Sequence, residues 1–448
     1  MTDRLETLAL AALEAARRAG AEAADALAVE DASVAIDVRA GRLEQAERSE
    51  GTEVGLRVLI GRRQACVAAS DTRPETLAAL AERAVAMARE APEDPAVGLA
   101  DPEALARDWD LGTLDLTDTD PEPTASELEA AAREAEAAAL AFAGISQVDS
   151  ATATFGRRRL HLAATNGFSG GYGRTDHSIG CTAITGEGTA MERDWCGESR
   201  SHRADLPAPA EVGARAAERA LARAGARKPP TGTFPVLYDE RVAGQLIGHL
   251  LAALSGTAVA RGASWLAGAM GEEVLPRGLS LVEDPTRPRI PGSRPFDGEG
   301  LPAVPRAIVE DGVLVRWLLD LGTARKLGLA STGNAYRGTA SPPAPGAGNV
   351  ALTQGSRSRD DLIAQMGTGL LVTSMIGSTI NPTTGDYSRG ASGHWVENGQ
   401  IAWPVNECTV AGNLRDMMRR LVPANDARPH LSRVVPSLLV EGLTIAGA

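Results

Sequence analysis

The spacing of apolar and polar residues predicts a helix and then paired strands at the start of the chain. Asp3, with Glu6 three residues later, resembles a capping box, and an apolar stripe with helical spacing continues to about Gly20. Apolar and polar residues alternate over 34–38 and again over 54–60, as they do in half-buried strands. We therefore expect helices packed on a mostly antiparallel sheet in this part of the chain.

The next segments change character several times. Residues 93–125 are rich in Pro and Asp, which predicts either a linker or an irregular crossing. We predict an Ala-rich helix from 126 to about 144, short strands punctuated by glycine over 148–200, and an Ala/Arg-rich helix over 209–224. The Lys-Pro-Pro run at 228–230 is the best candidate for a domain boundary.

These changes divide the chain into two predicted regions. An N-terminal α+β region covers 1–228, with a first part over 1–92 and a second part over 126–228 on either side of the 93–125 segment. A C-terminal β-rich region covers 229–448 and contains most of the glycine-rich turns.

Hairpin signals dominate the C-terminal region. Asp311-Gly312 and Asn398-Gly399 each separate two apolar segments, a strong short-range signal for a β-hairpin. The clear late helix is predicted over 412–421. Strands without alternating helices favour an antiparallel sheet or barrel over a doubly wound sheet. The predicted fold class is α+β: helices on a mostly antiparallel sheet first, then a glycine-rich antiparallel sheet or barrel with few helices.

Composition and charge narrow the class of protein. The 448 residues are 44% hydrophobic and 23% charged, which is ordinary for a folded globular chain. The net charge of −13 argues against a broad nucleic-acid surface, and no apolar run reaches the roughly eighteen residues of a spanning helix. The N-terminus carries acids where a signal peptide needs basic and apolar segments, so we expect a cytoplasmic location and no membrane contact. Four widely spaced cysteines are then expected as reduced thiols.

No catalytic constellation follows from the residues alone. The six histidines are scattered, and none lies one helical turn from another, so a short zincin motif is absent. Gly167-Phe168-Ser169-Gly170-Gly171 matches an activated-serine pattern, but a following helix is not predicted, which favours a hairpin tip. Cys408 with His394 upstream could form a thiol–imidazole pair. The sequence does not show that the two residues meet, so an ordinary buried cysteine is the favoured interpretation.

Several segments in order resemble one known family, the TldD/TldE (PmbA) metallopeptidases, once described as modulators of DNA gyrase. The segments are Gly-Thr-Glu-Val-Gly-Leu-Arg-Val at 51–58, Phe-Asp-Gly-Glu-Gly at 296–300, the hairpin at 308–314, Thr-Gly-Asn-Ala-Tyr-Arg-Gly at 332–338, the run over 376–393 and its continuation to 414. The run over 376–393 resembles the TldE/PmbA branch rather than the TldD branch.

The resemblance implies a heterodimer whose TldD subunit carries zinc through H-E-x-x-x-H on a helix and a later cysteine. Aligned on that helix, this sequence has Ile247 and Ala252 at the histidine positions and Gly248 at the glutamate position. His249 is the ionisable group that remains there, and we expect it to be a packed or solvent-facing helix residue. Catalytic and metal-binding residues are therefore expected to be absent from this chain, and zinc is expected in the partner.

Substrate contacts are predicted in the glycine-dense run over 377–393. Its backbone groups could pair with an extended peptide, and Asn381, Gly385, Asp386, Ser388 and Gly390 are the candidate substrate-binding residues. The alternative, that these glycines only form tight turns, has equal weight.

The resulting hypothesis is a non-catalytic TldE/PmbA-like subunit of a cytoplasmic TldD/TldE zinc metallopeptidase complex. Its expected partners are a TldD-type catalytic subunit and unfolded peptides, such as peptide-antibiotic precursors or antitoxins, with a homodimer when the chain is alone. Two alternatives remain open: a stand-alone hydrolase with an unrecognised site, and a non-proteolytic modulator of a gyrase or toxin–antitoxin system.

Overall fold

The first half of the chain forms one antiparallel sheet in the computed structural model, which describes residues 3–447. Its strands are β1 Ala23–Arg39, β2 Arg42–Ile60, β3 Arg63–Ala69, β4 Ile145–Ala164, β5 Ser169–Thr185 and β6 Glu192–Arg200. They lie in the order β3-β2-β1-β4-β5-β6, and neighbouring strands are antiparallel throughout. The long strands β1 and β4 are therefore the centre of this half.

Helices cover one face of this sheet. They are α1 Arg4–Ala19, α2 Pro74–Glu90, α4 Ala125–Leu140 and α5 Pro209–Leu221, whereas the short helix α3 Leu111–Leu114 lies in the segment that joins α2 to α4. Alternate side chains of a strand point to the same face. Ala24 and Ala26 of β1 are buried with α1 and α2, whereas Val34 and Ile36 further along the same strand are buried with α4 and α5. Two helix pairs thus pack side by side on one surface.

The second half is built from shorter strands around a larger core. The strands are β7 Gly232–Tyr238, β8 Leu281–Glu283, β9 Arg306–Glu310, β10 Val313–Leu314, β11 Ala335–Tyr336, β12 Ala344–Pro345, β13 Val350–Leu352, β14 Gly369–Ile380, β15 Asp386–Glu397, β16 Gln400–Asn413, β17 Val422–Pro423, β18 Arg433–Val434 and β19 Leu438–Ala446. The helices are α6 Glu240–Ala253, α7 Gly256–Ala260, α8 Leu321–Leu327, α9 Arg359–Met366 and α10 Leu414–Met418.

Five of these strands close into a barrel. The order β16-β15-β14-β7-β19 is completed by pairing of β16 with β19, where Val410 lies opposite Ile445. Closure of this kind removes free sheet edges within the paired part of the ring. The barrel interior contributes Tyr387 and Trp395 to the main core, together with α6.

The predicted fold class, α+β with a glycine-rich antiparallel sheet or barrel in the second half, is confirmed, although β7 and β14 of the barrel pair in parallel. Two element boundaries differ from the sequence prediction. The first of the short strands predicted over 148–200 belong to one continuous strand, β4, because its whole length pairs with β1 or β5. The late helix predicted over 412–421 is only α10, because Asn413 still belongs to β16 and caps the helix through its side chain, which accepts from the Arg415 N–H. In the described chain, no helix has the length and apolar character needed to span a bilayer.

Residues 93–124 form an irregular crossing that packs against the second half. The Arg325 guanidinium of α8 donates to the carbonyl oxygens of Ala96 and Leu99, at 3.0 and 2.8 Å. Trp109 packs against Phe296, with ring centroids 5.1 Å apart. The crossing is therefore held by side chains from the C-terminal half.

A buried ionic cluster joins the first sheet to the second half. Asp25 on β1 accepts a hydrogen bond from Arg57 Nε at 2.7 Å, and its other oxygen contacts Arg337 of the second half. All three side chains are at most 4% exposed. The two guanidinium groups hold the pKa of Asp25 below its usual value in spite of its burial. Removing one member would leave an uncompensated buried charge.

The loop that follows Phe296 carries two buried acids next to this cluster. Asp297 Oδ1 accepts from the backbone N–H groups of Glu299 and Leu301, and Glu299 Oε2 accepts from the Leu321 N–H, each within 2.9 Å. Burial, with Asp297 as a like-charged neighbour, raises the pKa of Glu299 to about 8. At neutral pH Glu299 is therefore largely protonated in the folded protein.

Replacing Gly393 by alanine should destabilise the barrel by about 2 kcal/mol or more. A Cβ at Gly393 would overlap the carbonyl oxygen of Leu371 on β14, whereas a Cβ at Gly390 on the same strand meets nothing nearer than 3.4 Å. We expect Gly393→Ala to lower the midpoint of thermal and urea unfolding, and the matched control Gly390→Ala to change it little. Equal midpoints for the two variants would contradict this account of β15.

Stability should fall with rising pH through Glu299. The unfolded carboxyl has the ordinary value of 4.5, so the folded chain retains a proton that the unfolded chain has lost. This contribution is complete at low pH and disappears as pH rises through the folded pKa, a loss of roughly 2 kcal/mol between pH 6 and 9. Urea unfolding of Glu299→Gln, with Glu397→Gln as an exposed control, should show this slope reduced only in the first variant. An unchanged slope in Glu299→Gln would refute the protonated buried acid.

Candidate functional site

Helix α6 carries the positions that the family resemblance identifies with a metal site. The helix begins after β7, where the Asp239 side chain accepts from the Arg241 N–H and caps it. Ile247 is completely buried in the main core. Gly248 is half-buried and Ala252 is exposed, and these two lie one turn apart on the same face. Ile247 therefore faces the core, whereas Gly248 and Ala252 face a cleft.

Two arginines line this cleft, which has a volume of about 540 Å³. Gly248 and Ala252 form part of its wall, and Arg261 and Arg433 lie around it. A Cβ at Gly248 would come 2.9 Å from Arg433 Nη1, so the guanidinium occupies the space above the glycine. Within residues 3–447, neither arginine side chain forms an ion pair or hydrogen bond. The cleft is cationic.

Zinc does not fit this arrangement. Zinc sites use imidazole, thiolate and carboxylate ligands, whereas these walls present glycine, alanine and guanidinium groups. Among the described residues there is no group of three or more His, Cys, Asp or Glu side chains that could hold a metal ion. Two like charges of the guanidinium groups would also repel a divalent cation.

His249 lies on the side of α6 that faces the barrel. Its ring packs against Tyr387, with centroids 6.1 Å apart, and is half-buried. Burial, followed by the charges of Arg389 and Arg433, lowers the pKa of His249 to about 4. His249 is therefore a neutral packed side chain at pH 7, and it turns away from the cleft that Gly248 lines.

Three of the five predicted substrate-binding residues form the turn between β14 and β15. Asn381 Oδ1 accepts from the N–H groups of Thr383 and Thr384, an Asx-type turn. Gly385 has φ of +82°, which favours glycine. Asp386 accepts from Thr384 and from Asn413, and these hydrogen bonds lower its pKa. Their polar groups stabilise the turn itself.

The other two predicted residues lie within β15, between two strands. Ser388 pairs with Thr379 on β14 and Ala411 on β16, and Gly390 is paired on both sides in the same way. The backbone of β15 is therefore used by the barrel. The open backbone nearest to these residues is the outer edge of β14 over 373–377, because the described pairing of β14 with β7 ends at Val372.

Neither of the other two candidate groups from the sequence has the full geometry of a catalytic site. Cys408 is buried and donates to the Ala391 carbonyl oxygen at 3.1 Å, and burial raises its pKa to about 11. His394 lies opposite Pro404, away from the Cys408–Ala391 pair. Ser169 Oγ lies 2.8 Å from His161 Nε2, but Ser169 starts strand β5 in a hairpin, so the strand–turn–helix of an activated serine is absent there.

Sequence reasoning missed the two arginines of the cleft. Arg433 is far from Gly248 in sequence, and it reaches the helix because β18 pairs with β13 in a separate small sheet. No motif or spacing connects these residues. The one local signal is Gly248 at the glutamate position, which leaves room for another side chain above the helix.

Three family models match successive parts of the chain. Domain 1 of the PmbA/TldA metallopeptidases matches residues 24–88, the central domain matches 118–224, and the C-terminal domain matches 231–447. The metalloprotease PmbA of Escherichia coli O157:H7 is 34% identical over 415 residues, covering 92% of this chain and 90% of the relative. The PmbA homologue of Haemophilus influenzae is also 34% identical and covers 97% and 94%.

Solved structures share the whole fold. A protein of Bacteroides thetaiotaomicron, provisionally named a modulator of DNA gyrase, has a TM-score of 0.92 at 27% identity over 100% of both chains. TldE of Thermococcus kodakarensis has a TM-score of 0.83 at 19% identity, covering 97% of this chain and 99% of that one, which shows likeness of fold. Together with the matched domains and relatives, these findings show that the chain belongs to the PmbA/TldD metallopeptidase family.

Proposed function

We propose that this chain is a non-catalytic, TldE/PmbA-like subunit of a cytoplasmic zinc peptidase complex that acts on unfolded peptides. The observation that carries the proposal is the surface of α6. Ile247 is sealed in the core, and Gly248 lies under the Arg433 guanidinium. At the position where the family resemblance places the metal, this chain has arginine side chains instead.

Hydrolysis at zinc needs metal ligands, a polarised water and a general base. A guanidinium remains protonated and supplies none of these. Relatives of this chain carry the name metalloprotease, which supports a metal in the family. We therefore assign the zinc and the general base to a TldD-type partner, and to this chain a role in binding.

The cleft and the edge of β14 would bind different parts of a peptide. Arg261 and Arg433 would bind carboxylates of an extended peptide, and the outer edge of β14 over 373–377 would pair with its main chain. Asn381, Gly385 and Asp386 would fix the end of that edge by holding the turn. Ser388 and Gly390 would act from the neighbouring strand, by keeping β14 in register.

The partner surface is expected to be of the obligate type. We propose a heterodimer that buries on the order of 2,000 Å² or more, and a homodimer through the same surface when this chain is alone.

A second candidate function, a hydrolase that acts alone through serine, is favoured by one contact. Ser169 and His161 are within hydrogen-bond distance. The substitution Ser169→Ala separates the two candidates. It should leave the activity of the assembled complex unchanged if this chain is a non-catalytic subunit, and it should abolish hydrolysis if Ser169 is the nucleophile.

Peptidase activity and zinc should both require the partner. We expect the purified chain to hold no stoichiometric zinc and to leave unfolded peptides intact, because α6 lacks ligands and a general base. Mixing it with a TldD-type subunit from the same cell should give cleavage, with zinc in the partner chain. Metal analysis and peptide cleavage would be measured for each chain and for the mixture.

The matching controls are the partner alone and the mixture with Ser169→Ala. Cleavage by this chain alone at the rate of the mixture would overturn the subunit assignment. Loss of cleavage in the Ser169→Ala mixture would favour the serine hydrolase.

Reversing the charge of the cleft should weaken binding of acidic peptides to the complex. We expect Arg433→Glu, and Arg261→Glu, to raise KM for a peptide with carboxylate side chains about tenfold, because a charge-assisted contact becomes a repulsion. KM for a neutral peptide and kcat should change much less. Arg193→Glu, an exposed arginine on β6, is the matched control. An equal rise of KM for both peptides would rule out carboxylate recognition by the cleft.

A further inference from the structure

A second cavity, of about 310 Å³, lies between the first sheet and the second half. Strands β4 and β5 provide one wall, and residues 291–298 with 335–337 provide the other. Its lining differs from that of the α6 cleft, and the function proposed above makes no use of it. Cavities of this size accept a small molecule or one terminal residue of a peptide.

Four arginines line this cavity: Arg158, Arg174, Arg294 and Arg337. Arg158 and Arg174 come from the first sheet, and the other two come from the second half. The protein as a whole carries a net charge of −13, so a concentration of guanidinium groups in one small space is unusual here. Guanidinium groups bind carboxylates and phosphates through paired N–H donors.

The two arginines from the second half are buried with unused donors. The Arg294 side chain is 6% exposed, and the Arg337 side chain is 2% exposed. In Arg294, Nε and Nη1 have no hydrogen-bond partner among the described residues, and in Arg337 the same holds for Nε and Nη2. Buried donors are nearly always satisfied in folded proteins, so four unused donors beside one cavity point to a ligand.

Carboxylates near the cavity leave its positive charge only partly balanced. Arg337 contacts Asp25 through Nη1 alone, and Asp25 is shared with Arg57. Glu283 lies 3.8 Å from Arg294, but its oxygens accept from Asn334 and Gly348.

Two more carboxylates complete the surroundings. Asp297 lines the cavity, and its oxygens accept three backbone N–H groups of its own loop and the adjoining strand. Burial raises the pKa of Asp297. Asp31 lies 3.6 Å from Arg158 at the exposed mouth. Positive charge therefore exceeds negative charge at the lining.

Aromatic and aliphatic groups form the remaining walls. Tyr172 and Phe296 meet edge to face, with centroids 5.5 Å apart, and leucines of β1 and β4 lie beside them. Tyr336 covers Arg294, whose Cζ is 4.0 Å from the ring centroid. Tyr336 is 38% exposed on the short strand β11, so part of the residue that covers Arg294 faces solvent.

We propose that this cavity binds a small ligand with one compact oxyanion, a carboxylate or a phosphate, on an aromatic or apolar body. The oxyanion would take the unused donors of Arg294 and Arg337 when Tyr336 moves aside. Arg158 and Arg174 would attract it to the mouth, and Tyr172 with Phe296 would contact its body. The anion could come from a free metabolite or from the C-terminal residue of a peptide.

Binding of small probes to the full chain tests the proposal. Titration calorimetry and thermal unfolding would use phenyl phosphate, N-acetylphenylalanine, its uncharged amide and inorganic phosphate. We expect the two aromatic anions to bind and to raise the unfolding temperature, and the amide to bind at least about tenfold more weakly. Phenyl phosphate alone would identify a phosphate-bearing metabolite, and N-acetylphenylalanine alone would identify a peptide terminus.

Variants connect the binding to this cavity. Arg294→Gln and Arg174→Gln should each weaken binding of the aromatic anions about tenfold, since each removes a charge-assisted donor. Arg174 lies at the mouth and is partly exposed, so its variant tests the site even if Arg294→Gln does not fold. Arg193→Gln removes the same charge from an exposed part of β6 and should bind as the original chain does.

The outcomes are distinct from those of the peptidase experiments, because binding is measured on this chain without a partner. Absence of binding by every probe at millimolar concentration would overturn the proposal. Equal weakening by Arg174→Gln and Arg193→Gln would overturn it as well, since the probes would then respond to overall charge. Equal affinity for N-acetylphenylalanine and its amide would exclude carboxylate recognition.

Discussion

A single buried carboxylate, Asp25, fixes how the two halves of the molecule meet. One oxygen accepts from Arg57 in the same sheet, and the other contacts Arg337 from the second half. A charge buried this deeply is tolerated only when it is paired and hydrogen-bonded, so both arginines must be present at once. The loop of Asp297 and Glu299 is positioned on the same junction, and the cavity lined by Arg337 lies beside it. This ionic contact therefore links the sheet, the loop and the cavity.

Conserving a fold and conserving a reaction are separate matters in this family, as the α6 helix illustrates. The helix has a side-chain cap, a buried stripe and a place against the barrel. Of the positions that the resemblance identifies with a metal site, Ile247 lies in the core, whereas Gly248 and Ala252 line the cleft and Arg433 lies over Gly248. A scaffold can therefore be retained for binding and assembly while its chemistry resides in a partner.

Local patterns predicted the elements well, and distant contacts escaped them. The Asn398-Gly399 turn joins β15 to β16 as predicted, because the conformation of such a turn is dictated by two adjacent residues. Asn381, predicted as a substrate-binding residue, lies in a similar local turn between β14 and β15. The sequence did not show that the backbone hydrogen bonds of β15 are taken by β14 and β16. Strand order is set by pairing across the whole barrel, which no local pattern reports. Nor does any local signal bring Arg433 to Gly248.

The position of Arg433 also limits how this chain could change over evolutionary time. A glutamate introduced at Gly248 would require the Arg433 guanidinium to shift, and its carboxylate would then pair with that guanidinium instead of serving as a free general base. A histidine introduced at Ile247 would place an imidazole in a fully apolar core, with no ligand to reward it. The step at Ile247 therefore costs stability, and neither step gives activity by itself. Such intermediates would gain no activity, so the division of labour between subunits proposed above would be easier to keep than to reverse.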